Sequence, residues 1–290
     1  MTRKRTDGRA FSAEAGPWWG LALSAPLVLI AGLFVVYPLV RVFADSLGDG
    51  NPFENYVRFF SSDVYVRTLV FTLLLSILVT VIAVVLGAVL AWIMRTTSSR
   101  WIRLLCWGAV LVPFWMSVVV KNYAFTLLLG RRGMLNEVLQ WAFGEGAMLE
   151  LLYTNTAVVI GMLYSMLPYA VLPLFVTFLT INPEIPLAAQ TLGASRMRAI
   201  RTTVLPLALP GMVATSSIVF VITIGFYITP VLLGGPRSTF MATLISEQTF
   251  SLFNYPGAAT SAVVLIVVAV VTLATAIKAV GIDRLKRALT

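Results

Sequence analysis

The sequence predicts an all-α integral membrane protein with six transmembrane helices. Hydrophobic residues make up 59% of its 290 residues and charged residues only 11%, which is outside the range of soluble globular domains. The apolar residues form blocks that match the roughly 20 residues a helix needs to cross a bilayer. Only helices and closed barrels satisfy the backbone in lipid. Because the sequence lacks the short alternating segments of a barrel, each block is predicted to be a helix.

Six runs of almost uncharged sequence supply these helices in chain order. The helices are predicted at about 18–37, 69–94, 104–129, 156–179, 210–233 and 258–280. The fourth is expected to be broken by Pro168 and Pro173, because proline removes a helical hydrogen bond. Between helices, segment 45–66 is predicted to pack on the outer surface, and 135–143 is predicted to form a short interfacial helix.

The chain is divided into a tail, a peripheral first helix, a five-helix domain and a second tail. Their predicted bounds are 1–14, 15–64, 65–280 and 281–290. With both termini on one side of the membrane, that side carries 14 basic and 4 acidic residues, and the other carries 7 basic and 8 acidic. Because positive charge collects on cytoplasmic loops, both termini are predicted to be cytoplasmic.

The same composition argues against several other classes of protein. The net charge of +9 has no basic–aromatic module beside it, so no nucleic-acid partner is predicted. With no histidine and a single cysteine, Cys106, no metal or other cofactor site is predicted. The sequence has no GxxxxGK[ST] phosphate loop, and its predicted spans have no Asp or Glu that could act as an ion relay. A transporter of this kind would take its energy from another subunit. An ion-coupled secondary carrier and a membrane scaffold subunit remain open.

Residues 183–206 form an unusually structured polar connection between the fourth and fifth helices. Its order Ala188-Ala189, three residues, Gly193, then Leu205-Pro206 resembles the EAA loop of ABC importer permeases, E-A-A-x3-G-x9-I-x-L-P. Stretches 112–130, 167–174 and 229–236 resemble the PotB-like spermidine/putrescine branch of that family. The four stretches lie in order across residues 65–280.

The resemblance implies a type I, binding-protein-dependent importer fold in the bacterial inner membrane. It implies a non-catalytic permease subunit for polyamines or a related small solute, with ferric iron, thiamine and phosphonate left open. The implied partners are two copies of an ATPase subunit, a second homologous permease and an external substrate-binding protein.

Within that resemblance the connection is a coupling loop that docks into a cleft on the ATPase. The residues implied in docking are small or turn-forming: Ala188, Ala189, Gly193, Ala194, Ser195, Leu205 and Pro206. Leu205-Pro206 is expected to begin the fifth helix, because proline is tolerated in a first turn. Leu187 stands where the family has glutamate, and Thr203 stands where it has isoleucine. The alternative is an ordinary amphipathic cytoplasmic helix whose arginines maintain the positive-inside bias.

Lys121 is the only charge well inside a predicted span, where a lysine costs roughly 2.5–3.5 kcal/mol. It can snorkel towards the interface, or it can line a translocation path. Trp115, Tyr123, Tyr164 and Tyr227 can line the same path by cation–π contact. Interfacial anchoring and helix packing are the alternative roles for these aromatic residues.

Overall fold

A computed structural model describes residues 17–48, 51–144, 146–235 and 238–280. The predicted tails at 1–14 and 281–290 lie outside the described residues. Within the described ranges every regular element is helical, as predicted. In chain order the α-helices are α1 (Pro17–Ala31), α2 (Tyr37–Leu47), α3 (Glu54–Ser61), α4 (Asp63–Thr96), α5 (Arg100–Trp115), α6 (Val118–Leu129), α7 (Met134–Phe143), α8 (Asn155–Thr180), α9 (Glu184–Thr191), α10 (Arg196–Ala199), α11 (Leu205–Ile224), α12 (Ile228–Leu233), α13 (Met241–Phe250) and α14 (Tyr255–Val280).

The predicted six spans are confirmed when one bent pair of helices is counted as a single span. Five continuous helical segments in the described chain are long and apolar enough to cross a membrane: Ser24–Leu47, Asp63–Thr96, Asn155–Thr180, Arg196–Ile224 and Tyr255–Lys278. The sixth span is formed by α5 and the helical segment after it, which meet at a bend of 111°. Cytoplasmic placement of both termini stays a prediction.

The core is formed by α4 and α8, and α11 packs against both. Val79 and Ala83 of α4 and Ala170 of α8 are fully buried. Gly87 lies so close to α8 that a Cβ there would come within 2.8 Å of the Ala170 Cβ. Small residues therefore allow α4 and α8 to approach closely, as is common between helices in membranes.

The third span differs from its prediction because it is broken. After α5 ends at Trp115, Met116 and Ser117 both take extended backbone with ψ of 138° before α6 begins. Two extended residues cannot continue the helical hydrogen bonds, so the chain turns sharply here.

The predicted break in the fourth span is wrong. Both Pro168 and Pro173 lie inside the continuous helix α8. In a membrane, neighbouring helices and hydroxyl side chains can compensate for the backbone bonds that proline removes. Here α4 and α11 both pack against α8.

The fifth span is shifted relative to its prediction. It begins at Arg196, runs through the π-helical turn Ile200–Val204 and ends at Ile224. Gly225 closes α11, and the chain re-enters a separate short helix, α12. Leu205-Pro206 begins α11 with Pro206 in its first turn, as predicted, although the continuous helical segment starts further upstream at Arg196. The π turn widens the helix just before Pro206, where a regular turn would bring the proline ring against a carbonyl.

The remaining helices lie around this core. The first span consists of α1 and α2 joined by the π turn Gly32–Val36, and none of its most apolar stretch is buried. Its α2 packs mainly on α14. The predicted surface packing of 45–66 is confirmed by α3, whose Phe59 is buried and stacks on Tyr65 with ring centroids 5.4 Å apart. The predicted interfacial helix is present as α7.

Candidate functional site

The connection between α8 and α11 is a helix–turn–helix. Its first helix, α9, begins after Asn182, whose Oδ1 accepts a hydrogen bond from the Glu184 amide at 2.9 Å. An acidic residue in the first turn also interacts favourably with the helix dipole. The short helix α10 follows a tight turn and leads through the π turn into α11. The connection is therefore folded along most of its length.

The turn after α9 explains the spacing of the Ala-Ala-x3-Gly pattern. The Gly193 amide donates to the Gln190 carbonyl at 3.0 Å, and the Ala194 amide donates to the Ala189 carbonyl at 3.0 Å. This pair of bonds is a Schellman motif, in which the residue after the helix adopts a left-handed conformation. Gly193 fills that position with φ of +90°, a conformation that side chains with a Cβ disfavour. The glycine four residues after Ala189 thus ends the helix at a defined residue.

Ser195 begins the second half of the connection. Its Oγ accepts a hydrogen bond from the Arg198 amide at 3.3 Å, which caps α10. Ala199 then turns into the core and is fully buried. Because both helices are capped at the turn, α9 and α10 are held at a defined angle to each other.

The outer surface of this connection is apolar and basic. Leu187, Leu192 and Met197 are exposed by 58%, 89% and 60% respectively. The seven predicted docking residues lie on the same folded segment. Ala188, Gly193, Ser195, Leu205 and Pro206 are exposed, and Ala189 and Ala194 are half-buried. Exposed apolar side chains beside arginines are typical of a surface that another protein covers.

Leu187 also lines a cleft between α9 and the last turns of α4. Arg95 lies in the same cleft, with its Nη2 donating to the Ile181 carbonyl at 2.5 Å and its guanidinium 5.5 Å from the Trp92 ring centre. Its Nη1 is buried and has no hydrogen-bond partner among the described residues. Leu187, where the resembling EAA loop has glutamate, thus faces a cleft that contains an incompletely bonded guanidinium.

Lys121 stabilises the break in the third span. It is only 5% exposed, and its Nζ donates to the Pro113 carbonyl at 3.0 Å. Pro113 lies in the last turn of α5, where carbonyls have no helical partner and the dipole is negative. The buried ammonium therefore acts as a C-terminal cap of α5 that is supplied from α6.

The predicted aromatic residues are divided between the break and the surface. Tyr164 lies at the break, with its hydroxyl 4.0 Å from the Met116 sulfur. Trp115 and Tyr123 are 81% and 61% exposed on the outside of this chain. Tyr227 lies elsewhere, where its hydroxyl accepts from Ser246 Oγ at 3.2 Å. The described chain therefore does not enclose these residues in one cavity.

Asn122 was missed by the sequence analysis. It is fully buried next to Lys121, its Nδ2 donates to the Val118 carbonyl at 2.8 Å, and its Oδ1 has no partner among the described residues. A Cβ on Gly161 would come within 3.3 Å of that oxygen and within 3.0 Å of Thr229. An amide in the middle of a predicted span, inside a stretch shared with a known family, was the signal that could have identified it.

The arrangement of spans defines the fold. Five core spans, a peripheral first helix and a folded connection between the fourth and fifth spans are the arrangement found in the transmembrane subunits of type I ABC importers. The same fold occurs in a bacterial alginate ABC transporter solved in complex with an alginate pentasaccharide-bound periplasmic protein. The TM-score is 0.75 and the sequence identity 22%, over 89% of this chain and 92% of that one.

Sequence comparison identifies more specific relatives. The chain is 31% identical over 184 residues to the spermidine/putrescine transport system permease protein PotB of Salmonella typhimurium (strain SL1344), covering 63% of this chain and 64% of PotB. It is 34% identical over 200 residues to the inner membrane ABC transporter permease protein YdcU of Escherichia coli (strain K12), covering 63% and 62%. The chain thus spans just under two thirds of the length of these relatives. No family model matches it.

These findings confirm the resemblance to ABC importer permease subunits. The chain is a multi-pass membrane protein related to the PotB permeases. Its relatives are components of transport systems.

Proposed function

We propose that the chain is the permease subunit of an ATP-driven importer for polyamines such as spermidine and putrescine. The observation that carries the proposal is the folded connection 183–206, with its exposed apolar and basic surface and its turn closed at Gly193. The names of the PotB relatives support polyamines as the substrate class. Ferric iron, thiamine and phosphonate are the other substrates to be tested.

The subunit lies in the bacterial inner membrane with both termini in the cytoplasm. Its five-helix domain, 65–280, forms the translocation path with a second, homologous permease. Two ATPase subunits hydrolyse ATP, and one of them docks on Ala188, Ala189, Gly193, Ala194, Ser195, Leu205 and Pro206. An external binding protein delivers the substrate, as the periplasmic protein named in the alginate transporter complex suggests. This chain itself catalyses no reaction.

The path runs past the break between α5 and α6. Lys121 and Tyr164 hold this break, and Tyr227 lies near the end of α11. The exposed side chains of Trp115 and Tyr123 face the second permease, where they complete the wall of the path.

The coupling role is tested by Gly193→Val. A β-branched residue disfavours φ of +90°, so the turn opens, whereas the surrounding space is free and no clash disturbs the core. We expect ATP-dependent uptake by the assembled importer to fall at least about tenfold, together with weaker co-purification of the ATPase.

Gly144→Val is the matched control. Gly144 also has a positive φ of +96° and open surroundings, but it follows α7, on the opposite side of the predicted membrane. Unchanged uptake and ATPase association in Gly193→Val, or equal losses in both variants, would refute the coupling role. Uptake of labelled putrescine, competed by excess spermidine, ferric iron, thiamine or a phosphonate, identifies the substrate class.

A further inference from the structure

A polar groove opens at the opposite end of the molecule from the coupling loop. It is lined by Tyr153, Gly235, Ser238, Thr243 and Glu247. Ser238 Oγ donates to Asn155 Oδ1 at 2.5 Å and so ties the groove to the first residue of α8. The 26 residues of α8 rise about 39 Å at 1.5 Å per residue and end at the coupling loop. The groove is therefore on the other side of the membrane, which the charge distribution predicts to be external.

Hydrogen bonds tie the walls of the groove to neighbouring helices. The helix that carries Glu247, α13, is fixed to the core because the Met241 amide donates to Thr72 Oγ1 of α4 at 2.9 Å. On another wall, the Tyr153 amide donates to the Leu233 carbonyl at 3.0 Å, and a Cβ on Gly235 would come within 2.7 Å of the Tyr153 carbonyl oxygen. The groove is thus preformed by contacts among three separate segments.

Tyr153 has a strained backbone. Its φ is +64°, an uncommon conformation for a residue with a Cβ, and its side chain is largely exposed. Strained residues are often found where a side chain is held ready for a ligand. Here the residue with this conformation lines a groove that also contains a carboxylate.

The chemistry of the groove suits a cation. Glu247 is its only carboxylate, and no basic residue lines it within the described chain. It is also the first acidic residue after Glu184 in the sequence. Ser238 and Thr243 add hydroxyl oxygens that can accept hydrogen bonds. A carboxylate, hydroxyl acceptors and an aromatic residue together match an organic ammonium group, which donates hydrogen bonds and is attracted to aromatic rings.

The groove also lies next to a residue of the proposed path. Ser246, directly before Glu247, donates to the hydroxyl of Tyr227 at 3.2 Å. The residue next to Glu247 therefore contacts a side chain that we place along the path.

We propose that this groove is a binding site for an organic ammonium group, with Glu247 as counter-charge and Tyr153 as the aromatic wall. Its role in uptake rests on the proposed function, since a polyamine carries several ammonium groups, but the binding itself does not. Substrate would engage Glu247 at the external mouth before it enters the path.

The test is direct binding of putrescine to the full-length chain in lipid nanodiscs, measured by calorimetry. Glu247→Gln keeps the size of the side chain and removes its charge, so we expect at least about tenfold weaker binding. Tyr153→Leu is expected to weaken binding by about threefold to tenfold. Glu137→Gln is the matched control, because Glu137 is an exposed acid on α7, remote from the groove lining, and it should leave the affinity unchanged.

Two further probes test whether binding depends on the charge of the ligand and on a neighbouring arginine. Butane-1,4-diol has the length of putrescine without its charges and should not compete. Arg237 lies outside the described residues, between two that line the groove, and Arg237→Ala should not weaken binding. Wild-type affinity in Glu247→Gln, no saturable binding by the wild-type chain, equal competition by the diol, or an equal loss in Arg237→Ala would each overturn the site.

These outcomes are separable from those of the proposed function. If the wild-type chain binds putrescine through Glu247 but the assembled importer moves no polyamine, the site stands and the proposed substrate is wrong. If the importer moves polyamines and Glu247→Gln binds putrescine normally, the function stands and the site is wrong.

Discussion

Leu187 and Arg95 share a cleft at the connection between α8 and α11. Both line the cleft between α9 and α4, and the buried Nη1 of Arg95 has no partner among the described residues. Leu187→Glu, which restores the family's residue, would place a carboxylate in that cleft. We expect an ion pair that raises the free energy of unfolding by about 0.5–1 kcal/mol, since the site is partly exposed. A double-mutant cycle with Arg95→Gln, measured by unfolding of the purified chain, isolates this pair.

Leu192→Glu is the control for that cycle. Leu192 is exposed by 89% at the end of α9 and is not part of the cleft lining, so its replacement should not couple to Arg95. If the effects of Leu187→Glu and Arg95→Gln are simply additive, the carboxylate does not reach the guanidinium. In that case Arg95 is not its partner, and Arg196, which lines the same cleft, is the next residue to test.

Sequence alone could predict the local conformation of some residues but not the hydrogen-bond partners of others. The turn at Gly193 could be expected from the position of this glycine after Ala189, because a helix often ends with a left-handed residue directly after its last turn. The partner of Lys121 could not be predicted, because the Pro113 carbonyl becomes available only where the third span breaks. The spacing of local turns is encoded locally, whereas a contact across a break depends on tertiary structure.

At the scale of elements, the close approach of α4 and α8 depends on Gly87. A Cβ there would meet the Ala170 Cβ at 2.8 Å and the Ala170 backbone carbon at 3.1 Å. We expect Gly87→Ala to force the helices apart and to lower the free energy of unfolding by about 1–3 kcal/mol. The measurement is thermal unfolding of the purified chain in detergent.

Gly108→Ala provides the comparison, because Gly108 is also helical but a Cβ there has open space around it. It should be neutral or slightly stabilising, since alanine favours helix more than glycine does. An equal loss of stability in both variants would show that the effect comes from the backbone of glycine and not from the contact between α4 and α8.

In the third and fourth spans, the positions of proline did not predict where the helix breaks. The two prolines of α8 predicted a break, yet α4 and α11 pack along that helix and keep it continuous. The third span breaks at Met116 and Ser117, neither of which is a strong helix breaker. Helix continuity in a membrane is decided by the neighbouring helices, which a single stretch of sequence does not reveal.

At the scale of the whole molecule, the number of spans was predictable and the groove at Glu247 was not. Each span needs only a local run of apolar residues, so composition along the chain was sufficient. The groove takes Tyr153, Ser238 and Glu247 from different segments, and no spacing in the sequence relates them. Local patterns define the membrane architecture, and tertiary packing brings the polar groups of a site together.

The predicted orientation of the whole chain can be tested by cysteine labelling. Among the described residues, α8 is the one helix long and apolar enough to cross a membrane between Arg132, exposed before α7, and Leu192, exposed after α9, so these two positions should lie on opposite sides. In a Cys106→Ala background, a membrane-impermeant maleimide should label Arg132→Cys in spheroplasts and Leu192→Cys in inverted vesicles. The physical reason is the excess of basic residues on the Leu192 side. The reverse pattern would invert the topology and place the connection 183–206 outside, which would refute the proposal that an ATPase docks on it. Labelling of both positions from one side would mean that α8 does not span the membrane.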